Sequence, residues 1–347
     1  MTCEISFLPV GNADCMVICD HSDAAVVVDI GKPRLLQKWL QNKNKKYIKR
    51  IYITHAHDDH LPPLLKLVEF LDIWLKQGEV ETFCLPHSFY KISVEKLIAN
   101  KGTSPKYDRL ELALHRLDDW DRLGRIRFIP ASRDSNSYTQ GNLEIHVLHP
   151  RQLFVEKHLA TSNTKLNEIS LVLRVIYGNF AAILLADIEN AGLKECVDIC
   201  QPDELNANVV KVPHHGAWPR NGDDLKQLLE TINPEIAVLS VGSTNIFGHV
   251  VPELFNLLLN LQNDNSKQLK QFVCTEVTRT CVKSASDRSS MGKSGLTAQQ
   301  LCAGEITILA ETSGKWTLKT QTDHENVISS LPYPACQGHA ELGAVST

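Results

Sequence analysis

The run Thr54-His55-Ala56-His57-Asp58-Asp59-His60 brings three imidazoles and two carboxylates to the end of a short apolar stretch, YIKRIYIT. Imidazole nitrogens and carboxylate oxygens are the donors that divalent cations such as zinc take from proteins. On an extended segment His55 and His57 point the same way, because the side-chain period there is two, and Asp59 follows after a turn. A lone histidine in such a place reads as part of a solvated loop. Three of them in an H-x-H-x-D-H spacing after an apolar strand are explained more economically by a metal. Two more polar groups stand at the ends of apolar runs: Asp187 closes AAILLAD, and His214-His215-Gly216 closes NVVKVPHHG. A carboxylate at the end of a buried strand costs free energy unless it is paired or bound to a cation, and a metal supplies that partner. His249, after EIAVLSVG and the loop STNIF, reads as a surface residue on its own; its place after the fourth strand of the series makes it a further candidate.

The elements that must position these groups are legible in the pattern. CEISFLPV, CMVICD and AAVVVDIG read as three strands, with a turn at Gly11-Asn12 and an end at Gly31. PRLLQKWLQN has apolar residues at helical spacing, YIKRIYIT is a buried strand, and LLKLVEFLDIWLK is an amphipathic helix that Gly78 stops. Residues 85–125 contain helical patterns around VEKLIAN and LELALHRLDDW and are read as a cap or insertion. Strands return at RIRFIP, LEIHVLHP, ISLVLRVIY and FAAILLADI, the last two joined at Gly178-Asn179. AGLKECVDIC (helix), NVVKVP (strand), DDLKQLLETI (helix), EIAVLSVG (strand) and PELFNLLLNLQ (helix) then alternate. This order predicts an α+β fold of two packed sheets with helices outside. Residues 1–262 form its core. Residues 263–322, a polar stretch with the strand QFVCTEV and a hairpin turning at Ser313-Gly314, complete it, and 323–347 form an irregular tail. GKSG in this stretch lacks the spaced first glycine of a phosphate-binding loop and reads as surface.

The chain has 347 residues, 22% of them charged, and a formal net charge of −4. No global basic field therefore holds it on nucleic acid or anionic lipid. Lys43, Lys45, Lys46, Lys49 and Arg50 form a local basic group that reads as a solvated helix face and loop. No apolar run approaches the roughly 18 residues of a membrane span, and the opening residues have no basic segment before a long apolar one; a cytoplasmic protein is expected. The ten cysteines contain no C-x-x-C pair and read as reduced thiols and small core residues. A zinc site from Cys274, Cys281 and Cys302 is the alternative, although their spacing fits no knuckle pattern.

From about Ile5 to Leu261 the motifs resemble, in order, those of the metallo-β-lactamase superfamily, and within it the branch typified by the hydrolase domain of the competence protein ComEC. They are VGNADCMVI…VVVDIG with Asp14 and Asp29, THAHDDH, NEISLVLRV…FAAILLADIE, VVKVPHHGA and IAVLSVGSTNIFGH. The resemblance implies an αββα sandwich, two mixed β-sheets face to face with helices outside, and two divalent metal ions, zinc or manganese, at one edge. Carried over by position, His55 and His57 bind the first metal, Asp59, His60 and His215 the second, and Asp187 bridges both. Such ions lower the pKa of a bridging water towards neutrality and yield a hydroxide nucleophile. Asp59 belongs to this catalytic group, and His214 and His249 neutralise charge on the attacked group or protonate the leaving oxygen. Asp29 orients the signature loop through hydrogen bonds.

Where relatives carry a further histidine for the first metal, this chain has Asn167, and His149 is the alternative ligand. Pro62-Pro63 stands where Gly-Gly is common, Leu185-Ala186 where Thr-Gly is, Ala217 for Ser and Val250 for Pro. The reading is a dinuclear metal-dependent hydrolase, a phosphodiesterase or nuclease, whose substrate is a phosphodiester that includes nucleic acid in its range. A carboxylic ester, lactone or amide hydrolase on the same site is the second reading. The third is a metal-stabilised effector or subunit of a larger, defence-type assembly, docking a partner chain through 85–125. ComEC relatives are joined to a membrane channel that is absent here, so DNA uptake is not expected.

Overall fold

The computed structural model describes residues 2–20, 22–86, 105–160, 165–290 and 295–338. Among the described residues, fifteen strands fall into two sheets. The first has the order β15-β14-β1-β2-β3-β4-β5-β6 and the second β13-β12-β11-β10-β9-β8-β7. In the first, β1 (Thr2–Phe7), β2 (Met16–Cys19) and β3 (Ala24–Val28) are antiparallel neighbours. β4 (Tyr47–Tyr52), β5 (Glu79–Pro86) and β6 (Arg127–Ala131) then continue in parallel. In the second, β7 (Tyr138–Gln140), β8 (Leu143–His149), β9 (Val172–Tyr177) and β10 (Phe180–Leu184) are antiparallel. β11 (Val209–Lys211), β12 (Ile236–Leu239) and β13 (Gln271–Cys274) run parallel to β10. The hairpin β14 (Ile306–Glu311) and β15 (Trp316–Thr320) pairs with β1 and extends the first sheet.

Parallel strands buried on both faces need apolar residues throughout, and alternation then decides which layer each residue enters. In β3, Val26 and Val28 face the second sheet, where they join Leu173, Ala182, Leu184, Val209 and Val238 in one core. Ala25 and Val27 turn the other way, under Leu36, Trp39 and Leu40 of helix α1 (Pro33–Asn42) and Leu67, Phe70 and Trp74 of α2 (Leu64–Trp74). On the second sheet, Ile183, Val210 and Ala237 pack outward against Leu193 and Cys196, Leu225 and Leu229, and Leu254 and Phe255, which lie on the helices Asn190–Ile199, Gly222–Ile232 and Pro252–Asn263. Three apolar layers between four layers of elements make the αββα sandwich that the sequence resemblance implies.

Two segments differ from expectation. β5 was hidden in EVETFCLP, and the helix α3 (Pro105–Arg122) that follows it joins the parallel neighbours β5 and β6. Parallel pairs require such a crossover. Ala113, Leu117 and Trp120 are buried, the last two beneath α2's layer, and Arg116 pairs with Asp72 of α2 at 2.8 Å. The described part of the expected cap is thus a crossover helix in the outer layer; residues 87–104 lie outside the described residues. The expected irregular tail includes a helix, His324–Ser329, and Leu331 and Ala335 are buried against the second sheet's outer core; residues 339–347 lie outside the described ones. Cys274, Cys281 and Cys302 sit in that same apolar core, and among the described residues they form no metal-competent group. No helix among the described residues is long and apolar enough to cross a membrane.

If α3 belongs to the packed layer, Trp120→Ala costs about 3–5 kcal/mol of unfolding free energy. Urea denaturation followed by circular dichroism measures this, and a cost below about 1 kcal/mol would mark the helix as a peripheral cap instead.

Candidate metal centre

Every strand that carries a candidate group ends at the same edge of the sandwich. β4 runs into Thr54-His55, and a turn closed by amide donation from His60 and Leu61 to the His57 carbonyl, at 3.0 and 2.8 Å, separates His55 and His57 from Asp59 and His60. The turn is stitched to the sheet: the Asp14 amide donates to the Asp59 carbonyl at 3.1 Å and the Ile30 amide to the His60 carbonyl at 2.8 Å. Gly31 is needed there, since a Cβ would come within 2.7 Å of the Asp59 carbonyl oxygen and 2.8 Å of Asp14's. From the second sheet come Asp187, after β10, and His214-His215, after β11. Ala186, His214 and His215 hold φ of 47°, 49° and 50°, the left-handed region that side chains avoid. At Ala186 this is the place where the resembling family commonly has glycine.

One donor of each of Asp59, His60, Asp187 and His215 lies within 4.8 Å of every other. His60 Nε2 stands 3.2 Å from Asp187 Oδ1 and 4.0 Å from Asp59 Oδ1. His215 Nε2 stands 3.4 Å from Asp59 Oδ2 and 3.6 Å from Asp187 Oδ2. The far sides of both rings are fixed: His60 Nδ1 lies 2.7 Å from Asp29 Oδ2, and His215 Nδ1 lies 2.9 Å from the Ser240 carbonyl oxygen. Each Nε2 therefore turns inward. Asp29 also accepts from the Thr54 amide and hydroxyl, both at 2.8 Å, so it orients the whole signature segment. His60 Nε2, His215 Nε2 and Asp187 Oδ1 are buried and meet one another and Asp59 in ion-pair contacts of 3.2–3.6 Å, but make no hydrogen bond of good geometry. Each such atom costs about 1–3 kcal/mol if left unsatisfied. A cation among them satisfies all three at once, so the donor set fits a divalent metal.

The charges in the cluster are strongly coupled: burial would lower the His60 ring, but Asp187 and Asp29 raise it well above its ordinary value. Burial would raise the Asp187 carboxyl, but the neighbouring His215, His60 and Lys211 hold it well below the ordinary carboxylate range. Burial likewise works against Asp59, yet His215 and His60 keep it ionised. His55 is pushed well below its ordinary value by burial and by His60, which favours the neutral ring that metals take.

The other half of the cluster is less complete. His55 Nε2 and His57 Nδ1 are 3.1 Å apart. Among the described residues no third His, Cys or carboxylate donor joins these two within the radius that gathers the other four. Asn167 lines the same cavity, and its Nδ2 lies 3.4 Å from His214 Nε2. His149 belongs elsewhere: wholly buried, it has Nδ1 2.9 Å from the Ser170 carbonyl oxygen and Nε2 3.2 Å from Glu195 Oε2.

His57, Asp59, Asn167, Asp187, His214, His215 and His249 line an open cavity of about 660 Å³, with Ile246 and Phe247 exposed on its rim. His55 and His60 lie beneath its floor. His214 and His249 meet edge to face, with ring centres 5.5 Å apart, and Phe247 stacks on His249 at 5.7 Å. Asn245 fixes this loop, accepting from the Gly248 and His249 amides at 2.8 and 3.0 Å and donating to the Gly242 and His249 carbonyls. Glu189 approaches His214 Nδ1 at 3.5 Å; burial would lower the His214 ring, but Glu189 and Asp187 raise it.

Lys211 and Glu189 escaped the sequence reading. Lys211 takes an inward-facing strand position where its neighbours Val209 and Val238 fill the core between the sheets. Its side chain has no exposure; Nζ bonds Asp14 Oδ2, donates to the Ala186 carbonyl at 3.0 Å and lies 3.9 Å from Asp187 Oδ1. The only sequence signal is a lysine inside an apolar strand three residues before the His-His pair.

No protein-family model matches the chain, and no curated protein does. Among solved structures it is similar to Igni18, a novel metallo hydrolase from the archaeon Ignicoccus hospitalis. The identity is 13% over 78% of this chain and 94% of that one, with a TM-score of 0.43. It is similar to a long form RNase Z from yeast at 14% identity, over 78% of this chain and 40% of that one, TM-score 0.41. Zn(2+)-bound PqqB from Methylobacterium extorquens is matched at 11% identity, over 70% of this chain and 89% of that one, TM-score 0.40. These likenesses are distant, and the fold assignment stands on the chain's own strand order and layering.

Removing the Lys211 charge leaves Asp14 buried without its partner. Lys211→Met is expected to cost about 3–5 kcal/mol, and Lys211→Met with Asp14→Leu to recover most of it. Thermal unfolding of both variants measures the difference; equal losses would show that the pair is not the source of the effect.

Proposed function

We propose that the protein is a metal-dependent hydrolase of phosphodiesters. The observation that carries this reading is the convergence of Asp59, His60, Asp187 and His215 donors within 4.8 Å at the base of an open cavity. Of these, His60 Nε2, Asp187 Oδ1 and His215 Nε2 are buried and make no hydrogen bond of good geometry. Asp59, His60, His215 and Asp187 would hold one divalent ion, and His55 and His57, with Asp187, a second. Divalent ions in this place supply Lewis-acid activation of water and of a phosphoryl oxygen.

The chain's own residues do the remaining work. Asp29 and the Ser240 carbonyl keep the His60 and His215 rings turned inward, and Lys211 braces the strand end that carries Asp187. His214, with Glu189 behind it, and His249 line the same cavity and are placed to offset negative charge on a substrate phosphate or to pass a proton to its leaving oxygen. Two imidazoles facing the cavity suit an anionic phosphoryl group better than a neutral carboxylic ester, and this favours the phosphodiester over the ester, lactone or amide.

The two halves of the centre differ in strength. Four protein donors stand ready in one, whereas Asn167 in the other offers a neutral amide where a further imidazole would bind more tightly. Wild-type protein dialysed without added metal is expected to retain one equivalent of ion by inductively coupled plasma mass spectrometry, and Asn167→His two. Equal retention by both would contradict the ranking.

Hydrolysis of bis(p-nitrophenyl) phosphate tests the function itself. Turnover is expected with added Mn or Zn, to vanish with EDTA, and to fall at least about 100-fold in Asp187→Asn, the scale of losing one electrostatic group in a site. Bound metal without any diester turnover would refute the phosphodiesterase and leave the carboxylic substrates or a non-catalytic effector.

A further inference from the structure

Beside the reaction cavity lies a second one of about 730 Å³, between the first turns of α1 and α2, and Asp58 lines both. Its rim carries Lys32, Arg34 and Lys66, all exposed. Among the described residues none of the three makes an ion pair or side-chain hydrogen bond, whereas four members of the chain's more obvious basic group are engaged: Lys43 with Glu4 at 2.6 Å, Lys45 with the Ser22 carbonyl at 2.6 Å, Lys49 with Glu81 at 3.5 Å and Arg50 over the Tyr138 ring at 4.8 Å. Against the three cations stand two lining carboxylates, Asp58 and Glu69, and neither first turn contains an acid. In a chain of net charge −4, uncommitted cations around one groove beside the candidate centre are a local feature, not an effect of composition. The remaining wall is apolar, formed by Pro62, Pro63 and Phe70 among others. The Pro62-Pro63 pair, which departs from the glycine pair common in the resembling family, therefore has a place: it forms a stiff apolar wall between the signature loop and α2.

A cationic rim over an apolar wall suits a ligand that is anionic at one end and flat and apolar at the other, and the volume is that of a small-molecule site. Resting on the phosphodiesterase reading above, we propose that this groove holds a nucleotide neighbouring the scissile phosphate of a single-stranded polynucleotide. Its phosphate faces Lys32, Arg34 and Lys66, its base lies on the exposed Pro63 and Ile73, and the strand passes Asp58 into the reaction cavity. The substrate class is then a nucleic acid strand rather than a small diester, even though the protein as a whole is acidic.

The test compares wild-type protein with the triple variant Lys32→Ala, Arg34→Ala, Lys66→Ala, all exposed positions whose replacement leaves the core untouched. Anisotropy of a fluorescein-labelled 12-nucleotide single strand, DNA or RNA, is followed in EDTA so that binding is read without turnover. The triple variant is expected to bind at least about 10-fold more weakly, with a salt slope about 0.7 smaller, the contribution of one phosphate contact on a single strand. Its kcat/KM on bis(p-nitrophenyl) phosphate with Mn is expected to stay within about twofold of wild type, the small diester having no neighbouring nucleotide. Unchanged strand affinity and salt slope would overturn the assignment. So would loss of binding to anionic phospholipid vesicles in the variant with no strand binding by either protein, which makes the groove a lipid-phosphate site. Strand binding lost in the variant, with no diester turnover by wild type, supports the groove and counts against the hydrolase reading alone.

Discussion

A lysine ammonium with no solvent exposure, placed between two β-sheets, is the constraint around which the candidate centre is arranged. Moving a charge of that size from water to a protein interior costs several kcal/mol unless partners are in place. Lys211 has them: the Asp14 carboxylate from the first sheet, the Ala186 carbonyl from the second, and Asp187 at 3.9 Å. The pair joins β11 to the loop between β1 and β2 across the inter-sheet core, directly beneath the cluster. Asp14 in turn holds the signature turn through its own amide and carbonyl, to Asp59 and from Gly31. One ion pair thus fixes the separation of the two edges that deliver ligands from opposite sheets.

Above this layer the charges do not balance among themselves. Asp29, Asp59 and Asp187 converge with His55, His57, His60 and His215 at the base of the open cavity, and three buried inward atoms make no hydrogen bond of good geometry. Native proteins rarely leave buried polar groups in this state without a reason. A divalent cation resolves it, because ligand atoms and their outer partners are already aligned: Asp29 behind His60, Ser240 behind His215, Lys211 behind Asp187. Strained backbone at Ala186, His214 and His215 is concentrated on the same strand ends, as is usual where local geometry serves a site rather than stability.

Much of this was legible in the sequence because the relevant signals are local. Alternation and apolar runs gave β1 to β4, β6, β8 to β15 and the main helices, and the crowding of His55, His57, Asp59 and His60 after a buried strand pointed to a metal without any structure. Asp187 and His215 were visible as polar ends of apolar strands, and the structure brings them to the same point. What escaped was non-local or masked by composition. β5 alternates Glu with apolar residues in a stretch that begins just after a helix, and α3 has enough charge to resemble a surface cap. Lys211 looks like any strand lysine until its partner, far away in sequence, is known. His149 carries the same strand-end signal as Asp187, yet its ring is taken up by Ser170 and Glu195. The groove behind Pro62-Pro63 exists only once two helices are packed side by side.

The most direct test of the central claim is anomalous diffraction from crystals grown with zinc or soaked in manganese, recorded at the metal's absorption edge. The account predicts a strong peak among Asp59 Oδ, His60 Nε2, Asp187 Oδ and His215 Nε2, within about 2.0–2.2 Å of each donor for zinc, and a weaker one towards His55 and His57. No peak at these residues, in crystals whose cluster is otherwise ordered, would contradict it.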